Sequence, residues 1–179
     1  MTDLGPDWLP DAEGVPHRRA ARVVVLDPAG RVLLALGHDH HQPDRHWWFT
    51  IGGGLLAGES PPEAAARELR EETGLIVAPA QLEGPVLRRR ATFAFSNVTA
   101  RQDEWFFLVR LRAPGRAVVL DRSGWTEDER DVVDGQRWWT PEDLEAEAAR
   151  TEVFPRALPD LVRRWAAGWD GRTLMLDDR

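Results

Sequence analysis

One helix that is marked at both ends constrains the fold of this chain more than any other stretch. Ser60 is a natural N-cap, Pro61 sits at the first helical position, and Glu63 completes a Ser-x-x-Glu capping box. Gly74 suits the C-terminal end, because glycine adopts the left-handed conformation that stops a helix. The sequence therefore predicts a helix of about three turns from Pro61 to Thr73.

The second half of this helix carries three carboxylates, Glu68, Glu71 and Glu72. At about 100° per residue all three fall within an arc of roughly 100° on one face. Two like unit charges 4 Å apart repel each other by about 4 kcal/mol at an effective dielectric of 20. Three neighbouring carboxylates therefore either have raised pKa values or bind a cation. A solvated helix face is the ordinary explanation. However, the glycines at 52–54 precede this helix and let a ligand approach the backbone closely. Oxygen ligands favour Mg²⁺, with Mn²⁺ as an alternative.

The segment from Gly53 to Leu75 has the pattern Gly-x₅-Glu-x₇-Arg-Glu-Leu-Arg-Glu-Glu-Thr-Gly-Leu. It resembles the Nudix box at every defining position, and weaker similarity extends over most of residues 20–145. The resemblance implies an α/β (α+β) fold, an α/β/α sandwich with a mixed central sheet. It also implies Mg²⁺-dependent hydrolysis of the diphosphate bond in a nucleoside diphosphate linked to another group.

The resemblance assigns roles residue by residue. Glu68, Glu71 and Glu72 resemble the metal and base carboxylates, with Glu68 the first choice as general base and Glu71 the second. Gly52, just before the box, resembles the residue whose carbonyl is a metal ligand. Glu59 and Arg67 resemble the pair that orients the carboxylates. The metal set implied by the resemblance is Gly52, Glu68, Glu71, Glu72 and Glu129.

Glu129 is the residue that best resembles a distal ligand from a later loop, and Glu127 is the alternative. Simple solvation in a charged loop explains either one equally well. Ile51 departs from the family pattern, because many relatives have proline at that position.

Substrate contacts are assigned to Arg45, Trp47, Phe49 and Arg88. The stretch at 37–46 is polar and is expected to be a loop near the substrate, with Arg45 touching the leaving portion. Trp47 and Phe49 lie beside the glycines and are candidates for stacking on a base. Arg88 and Arg90 share one face of a predicted strand and Arg89 the other, so only part of this triplet can meet phosphates. His38, His40 and His41 are interpreted as loop residues rather than metal ligands.

Composition excludes several classes of function. The chain has no cysteine, which removes disulfides and thiolate chemistry, and its basic residues are all arginine, which removes a lysine-dependent phosphate loop. A net charge of −7 argues against binding a nucleic-acid strand. We find neither a signal peptide nor a membrane span and expect a cytoplasmic enzyme with a small-molecule partner. A homodimer is left open.

The remaining pattern predicts an N-terminal extension at 1–17 and one domain at 18–179 that ends in helices. Strands are predicted at Ala21–Asp27, Arg31–Leu36, Val86–Phe95, Glu104–Leu111 and Arg137–Trp139, with a charged loop at 123–134. Helices are predicted after Thr140 and after Pro155. A nucleotide-sensing module without turnover is the alternative function. A diphosphate isomerase is disfavoured, because such relatives use a cysteine. The substrate stays open.

Overall fold

The computed structural model describes residue 4, residues 7–94 and residues 98–178, and for residues 128 and 129 it describes the backbone alone. Within these ranges the strands are β1 (Leu9–Pro10), β2 (Pro16–Leu26), β3 (Val32–Asp39), β4 (Gln42–Gly54), β5 (Glu83–Ala94), β6 (Thr99–Arg110), β7 (Val133–Trp139), β8 (Glu152–Phe154) and β9 (Leu174–Asp178). The α-helices are α1 (Pro61–Thr73), α2 (Glu127–Val132), α3 (Pro141–Glu147) and α4 (Leu158–Ala167).

The strands form one mixed sheet in the order β7-β3-β4-β2-β6-β5-β9, with β1 paired to β2 and β8 to β4. The pairs β2–β6, β4–β8 and β5–β9 are parallel, and the other pairs are antiparallel. Strand β4 is shared: residues 46–50 pair with β3, whereas residues 51–54 pair with β2. The glycines at 52–54 are therefore held in the middle of the sheet at the point where β4 changes partner.

Helices cover both faces of the sheet, as the predicted sandwich requires. On one face Val23 and Val25 of β2 pack with Ala65 and Leu69 of α1. On the other face Val24 and Leu26 pack with residues of α3 and α4, among them Leu144 and Trp165. This alternation follows from the period of two along a strand, since successive side chains of β2 point to opposite faces.

Helix α1 begins and ends at the predicted residues. The Ser60 N–H donates to Glu63 Oε2 at 2.9 Å, which is half of the capping box. Gly74 has φ 75°, and its N–H donates to the Arg70 carbonyl at 2.8 Å. The helix boundaries are thus fixed by local sequence chemistry.

The prediction of a polar loop at 37–46 is wrong. Strand β3 continues to Asp39 and β4 starts at Gln42, so the stretch forms a hairpin in which His38 lies opposite His46. Because β3 pairs with β7 on one side and β4 on the other, backbone pairing extends both strands beyond their apolar part.

Other parts differ less from expectation. The predicted charged loop contains the short helix α2, and strand β9 was not predicted. The predicted strand end at Phe95 lies outside the described residues. Strand β2 already begins at Pro16, while the division of the chain at residue 17 stays a prediction. None of the helices in the described ranges has the length and apolarity that crossing a bilayer would require.

Candidate active site

A cleft of about 970 Å³ opens beside the three glycines, and we refer to it as the cleft. One wall is formed by these glycines together with Arg67, Glu68 and Glu72 of α1. A second wall is formed by residues of β5 and β6, and residues of the hairpin β3–β4 and of the N-terminal segment complete the lining. The glycine loop and part of the helix that follows it therefore line this cleft.

The glycine loop touches the carboxylates of α1. A Cβ atom at Gly53 would lie 2.8 Å from the carboxylate of Glu68, so no larger residue fits without moving that group. The Gly52 N–H donates to Glu72 Oε1 at 3.2 Å. Gly52 itself has φ 131°, a conformation that favours glycine. Glu68 and Glu72 are both buried and are held against the backbone of this loop.

Arg67 connects the remaining acidic groups. Its guanidinium donates two hydrogen bonds of 2.9 Å to the carboxylate of Glu59 and one of 2.9 Å to the Gly54 carbonyl. Its Nη1 donates to Glu68 Oε1 at 2.7 Å and to Glu71 Oε2 at 3.0 Å. The hydrogen bonds to Glu59 are the main reason why the pKa of Arg67 is raised, and in return they lower the pKa of Glu59. We call Glu59, Arg67, Glu68 and Glu71 the carboxylate cluster.

Glu68, Glu71 and Glu72 of α1 are not equivalent. Glu68 and Glu72 are four residues apart and line the cleft, whereas the side chain of Glu71 is 38% exposed and does not line it. Glu71 lies between Arg67 and Arg70, whose Nη2 is 3.6 Å from its Oε1. The difference follows from helix geometry, because residues four apart stack one above the other and Glu71 is turned away from that line.

A second set of charges lies on the strands β2, β5, β6 and β9. Glu104 is buried and accepts from Arg22 Nε at 3.0 Å and from Arg89 Nη1 at 2.9 Å, while Arg89 Nε donates to Asp178 at 2.7 Å. Burial alone would raise the pKa of Glu104, but the charges of Arg22 and Arg89 outweigh it and lower that pKa. We call Arg22, Arg89, Glu104 and Asp178 the arginine cluster.

Both clusters contact the glycine loop, the carboxylate cluster at Gly53 and Gly54 and the arginine cluster at Gly52. Arg22 Nη1 donates to the Gly52 carbonyl at 2.5 Å, which is the carbonyl that the sequence assigns to a metal ion. The guanidinium carbon of Arg22 also lies 5.9 Å from the centre of the Phe49 ring. Arg22 thus contacts both the glycine loop and the aromatic side of the cleft.

The structure brings three of the four predicted substrate residues to the cleft. Arg45, Trp47 and Phe49 line it, and Arg45 also donates to the Ala94 carbonyl at 2.7 Å. Arg88 does not, because it is exposed on the opposite face of β5, where it lies 4.9 Å from the centre of the Trp105 ring. Arg89, on the other face of this strand, lines the cleft, and a substrate contact of Arg88 stays a prediction.

The predicted distal ligand is Glu129, and its side chain lies outside the described residues. Glu127, the alternative, is exposed at the start of α2. Asp131 of the same helix lines the cleft.

Sequence reasoning missed two groups in the cleft. Arg22 and Glu104 each lie directly beside an apolar run of a strand, and Gln102 lies two residues before Glu104. A charge next to an apolar run of a strand is the signal that could have found the first two. Asp7 and Trp8 belong to the predicted N-terminal extension and also line the cleft. Arg18 holds them there, since its Nη1 donates to Asp7 at 2.9 Å and its guanidinium lies 4.3 Å from the Trp8 ring.

The family model of the NUDIX domain matches residues 16–160. The chain belongs to the Nudix family. Nudix hydrolases use divalent metal ions and act on small nucleotide-derived substrates. The predicted family, the sandwich fold and the enzyme class, a hydrolase acting on diphosphate bonds, are confirmed.

Curated relatives cover most of this Nudix chain. An RNA pyrophosphohydrolase of Alkalilimnicola ehrlichii is 33% identical over 162 residues, which are 84% of this chain and 82% of the relative. An RNA pyrophosphohydrolase of Marinomonas sp. is 28% identical over 163 residues, which are 85% of this chain and 93% of the relative.

Solved structures share the fold of the Nudix chain. The MutT protein from Methanosarcina mazei superposes with a TM-score of 0.56 at 19% identity and covers 86% of this chain and 95% of its own. The dihydroneopterin triphosphate pyrophosphohydrolase of E. coli has a TM-score of 0.54 at 22% identity, covering 83% and 94%. At these identities the similarity shows the fold alone.

Proposed function

We propose that this Nudix enzyme hydrolyses the diphosphate bond of a nucleoside diphosphate derivative with Mg²⁺ as its cofactor. The observation that carries the proposal is the contact between the glycine loop and two buried carboxylates at one wall of the cleft. Gly53 leaves room for the Glu68 carboxylate, and the Gly52 N–H donates to Glu72. Arg67 is shared among the carboxylates of Glu59, Glu68 and Glu71, so the group keeps an excess of negative charge, and a divalent cation would balance that excess.

The donor set fits a hard divalent cation. Glu68, Glu72 and the Gly52 carbonyl would hold the ion, with Glu71 at the edge of the site, and every donor atom is oxygen. When bound, such an ion neutralises phosphate oxygens and lowers the pKa of a water molecule. In this structure Arg22 donates to the Gly52 carbonyl, and that carbonyl has a second lone pair for a ligand.

Glu68 is our choice for the general base, with Glu71 second. Glu68 is buried at the cleft, and Arg67 Nη1 fixes the direction of its carboxylate through a hydrogen bond of 2.7 Å. A base must keep one oxygen directed at the water whose proton it accepts. Arg67 serves as the positioning residue, because Glu59 and the Gly54 carbonyl lock its guanidinium in place. Glu72 belongs to the metal set.

The rest of the cleft suits a nucleotide. Trp47 and Phe49 offer aromatic faces for a base, and Arg45 offers a guanidinium group to phosphates. The two named relatives are RNA pyrophosphohydrolases, so the 5′ end of an RNA is a second substrate candidate. A net charge of −7 favours contact with the terminal nucleotides over contact with a long strand.

The test is a substrate panel assayed with Mg²⁺, with Mn²⁺ and with a chelator. Nucleotide sugars, dinucleoside polyphosphates, oxidised nucleoside triphosphates and a 5′-triphosphorylated RNA are incubated with the enzyme, and released phosphate, pyrophosphate and nucleoside monophosphate are measured. We expect metal-dependent turnover of at least one small nucleotide. Preference for the RNA by tenfold or more would select the second candidate.

Two variants complete the test. Glu72→Gln should abolish turnover while the circular dichroism spectrum stays native, and Glu145→Gln on the exposed face of α3 should leave turnover unchanged. A nucleotide-sensing module is the alternative function. Tight binding of a nucleotide without any turnover in the wild type would establish it and refute the hydrolase.

A further inference from the structure

Two histidines and an aspartate converge on the hairpin that the sequence analysis assigned to a loop. His38 Nδ1 lies 3.1 Å from Asp134 Oδ2, and His46 Nε2 lies 3.4 Å from the same oxygen. One ligand atom from each of the three residues falls within 4.8 Å of the other two. The side chains of His38, His46 and Asp134 are 17%, 37% and 36% exposed, so the group is partly buried and still accessible to an ion from solvent.

The sheet itself builds this arrangement. The three residues come from the adjacent strands β3, β4 and β7, and His38 in the central strand lies directly opposite His46. Between β3 and β7 the register shifts: Leu36 pairs with Gly135 and Gly37 pairs with Val133. Asp134 is therefore the extra residue of a β-bulge, and a bulge redirects a side chain away from the ordinary alternation. Here it directs the carboxylate towards both imidazoles.

We propose that His38, His46 and Asp134 form a second metal site, for a borderline divalent ion such as Zn²⁺. Imidazole nitrogen with one carboxylate oxygen suits Zn²⁺, Co²⁺ or Ni²⁺, whereas Mg²⁺ prefers oxygen alone. Zinc bonds of about 2.0–2.2 Å set neighbouring ligand atoms of a tetrahedron about 3.4 Å apart. The observed separations of 3.1 and 3.4 Å between the imidazole nitrogens and the shared oxygen match that edge. With three protein ligands, a water molecule would complete the tetrahedron.

This site is separate from the diphosphate chemistry. None of its three residues lines the cleft. The inference is therefore independent of the proposed function. The site is connected to the cleft only along the backbone: Asp134 lies two residues after the end of α2, and α2 carries the cleft residue Asp131. An ion at this site would join β7 to β3 and β4 and fix the end of α2.

The experiment is calorimetric titration of the metal-free full chain with Zn²⁺, accompanied by the visible spectrum with Co²⁺. We expect one nitrogen-ligated site that survives Glu72→Gln. His38→Ala, His46→Ala and Asp134→Asn should each weaken Zn²⁺ binding at that site by at least tenfold. His41→Ala, which removes another histidine of the same hairpin, should not change it. Zn²⁺ should also raise the Tm of the wild type and not that of Asp134→Asn.

Two results would overturn the proposal. One is Zn²⁺ affinity that stays within a factor of two in all three variants, which would leave Asp134 as a simple ion-pair partner of the histidines. The other is loss of the site in Glu72→Gln, which would place the ion at α1. Asp134→Asn changes a partly exposed group without changing its size, so a variant that folds is available even where a histidine substitution disturbs the hairpin.

Discussion

The two walls of the cleft carry charge in opposite proportions. In the carboxylate cluster a single guanidinium, that of Arg67, donates to three carboxylates. In the arginine cluster a single carboxylate, that of Glu104, accepts hydrogen bonds from two guanidinium groups, those of Arg22 and Arg89. Asp178 accepts a further hydrogen bond from Arg89. The first cluster holds an excess of negative charge, whereas the second holds two positive and two negative groups.

The difference indicates that the charged groups of one cluster stabilise the fold, whereas those of the other take part in the reaction. The arginine cluster is neutral and hydrogen-bonded, as a buried ionic group must be, so it serves the fold. The carboxylate cluster is held in an acidic state by its position on α1 and by the glycine loop, and a divalent cation would balance it. Mutations of the two walls should therefore affect different measurements, stability on one side and turnover on the other.

Among changes within the two clusters, the largest effect is expected for Glu68→Gln. Loss of a general base lowers turnover by about 10²–10⁴-fold, whereas the amide keeps the size of the side chain and hence the fold. Rates with Mg²⁺ and the Tm are the two measurements. If turnover persisted and Glu71→Gln abolished it instead, the two glutamates would exchange roles.

Glu104→Gln should show the opposite profile. It leaves Arg22 and Arg89 buried without their carboxylate, and removing one partner of a buried ion pair costs about 3–5 kcal/mol. Urea unfolding measures the loss, and Glu145→Gln, an exposed glutamate of α3, is the control. Unchanged stability would mean that the arginine cluster is not structural.

Gly53→Ala tests the contact that joins loop and helix. The added methyl group would lie 2.8 Å from the Glu68 carboxylate and displace it, so we expect turnover to fall by about 10²-fold, the effect of a catalytic group misplaced by about 1 Å. Gly135→Ala is the matched control, because nothing lies within 4 Å of a Cβ atom there. Equal activity of the two variants would refute the role of this contact.

The smallest expected effect concerns pH. The pKa of Glu104 is lowered in the folded state from an ordinary value of 4.5, so its contribution to stability is fully present above pH 4.5 and is lost as the pH falls through the lower folded value. The free energy of unfolding should therefore decline less steeply below pH 4.5 in Glu104→Gln than in the wild type. Identical slopes would contradict the assignment.

Local signals predicted α1 and the glycine loop because caps, glycines and spacing act over a few residues. Ser60, Pro61 and Gly74 set the ends of the helix without help from the rest of the chain. The sandwich with its mixed sheet came from the resemblance, and the structure agrees with it.

Features that depend on tertiary pairing were not predictable in the same way. The hairpin at 37–46 is polar, and its strands form because neighbouring strands pair with them. Arg89 rather than Arg88 lines the cleft because Arg89 is on the face of β5 that meets Glu104 of β6. Trp8 comes to the cleft through Arg18, a contact that no local pattern encodes.

The most direct test of the central claim is a crystal structure of the enzyme soaked with Mn²⁺ and measured with anomalous scattering. The account predicts an anomalous peak within bonding distance of the carboxylates of Glu68 and Glu72 and near the Gly52 carbonyl. Absence of density there, with the carboxylates still facing the glycine loop, would contradict it.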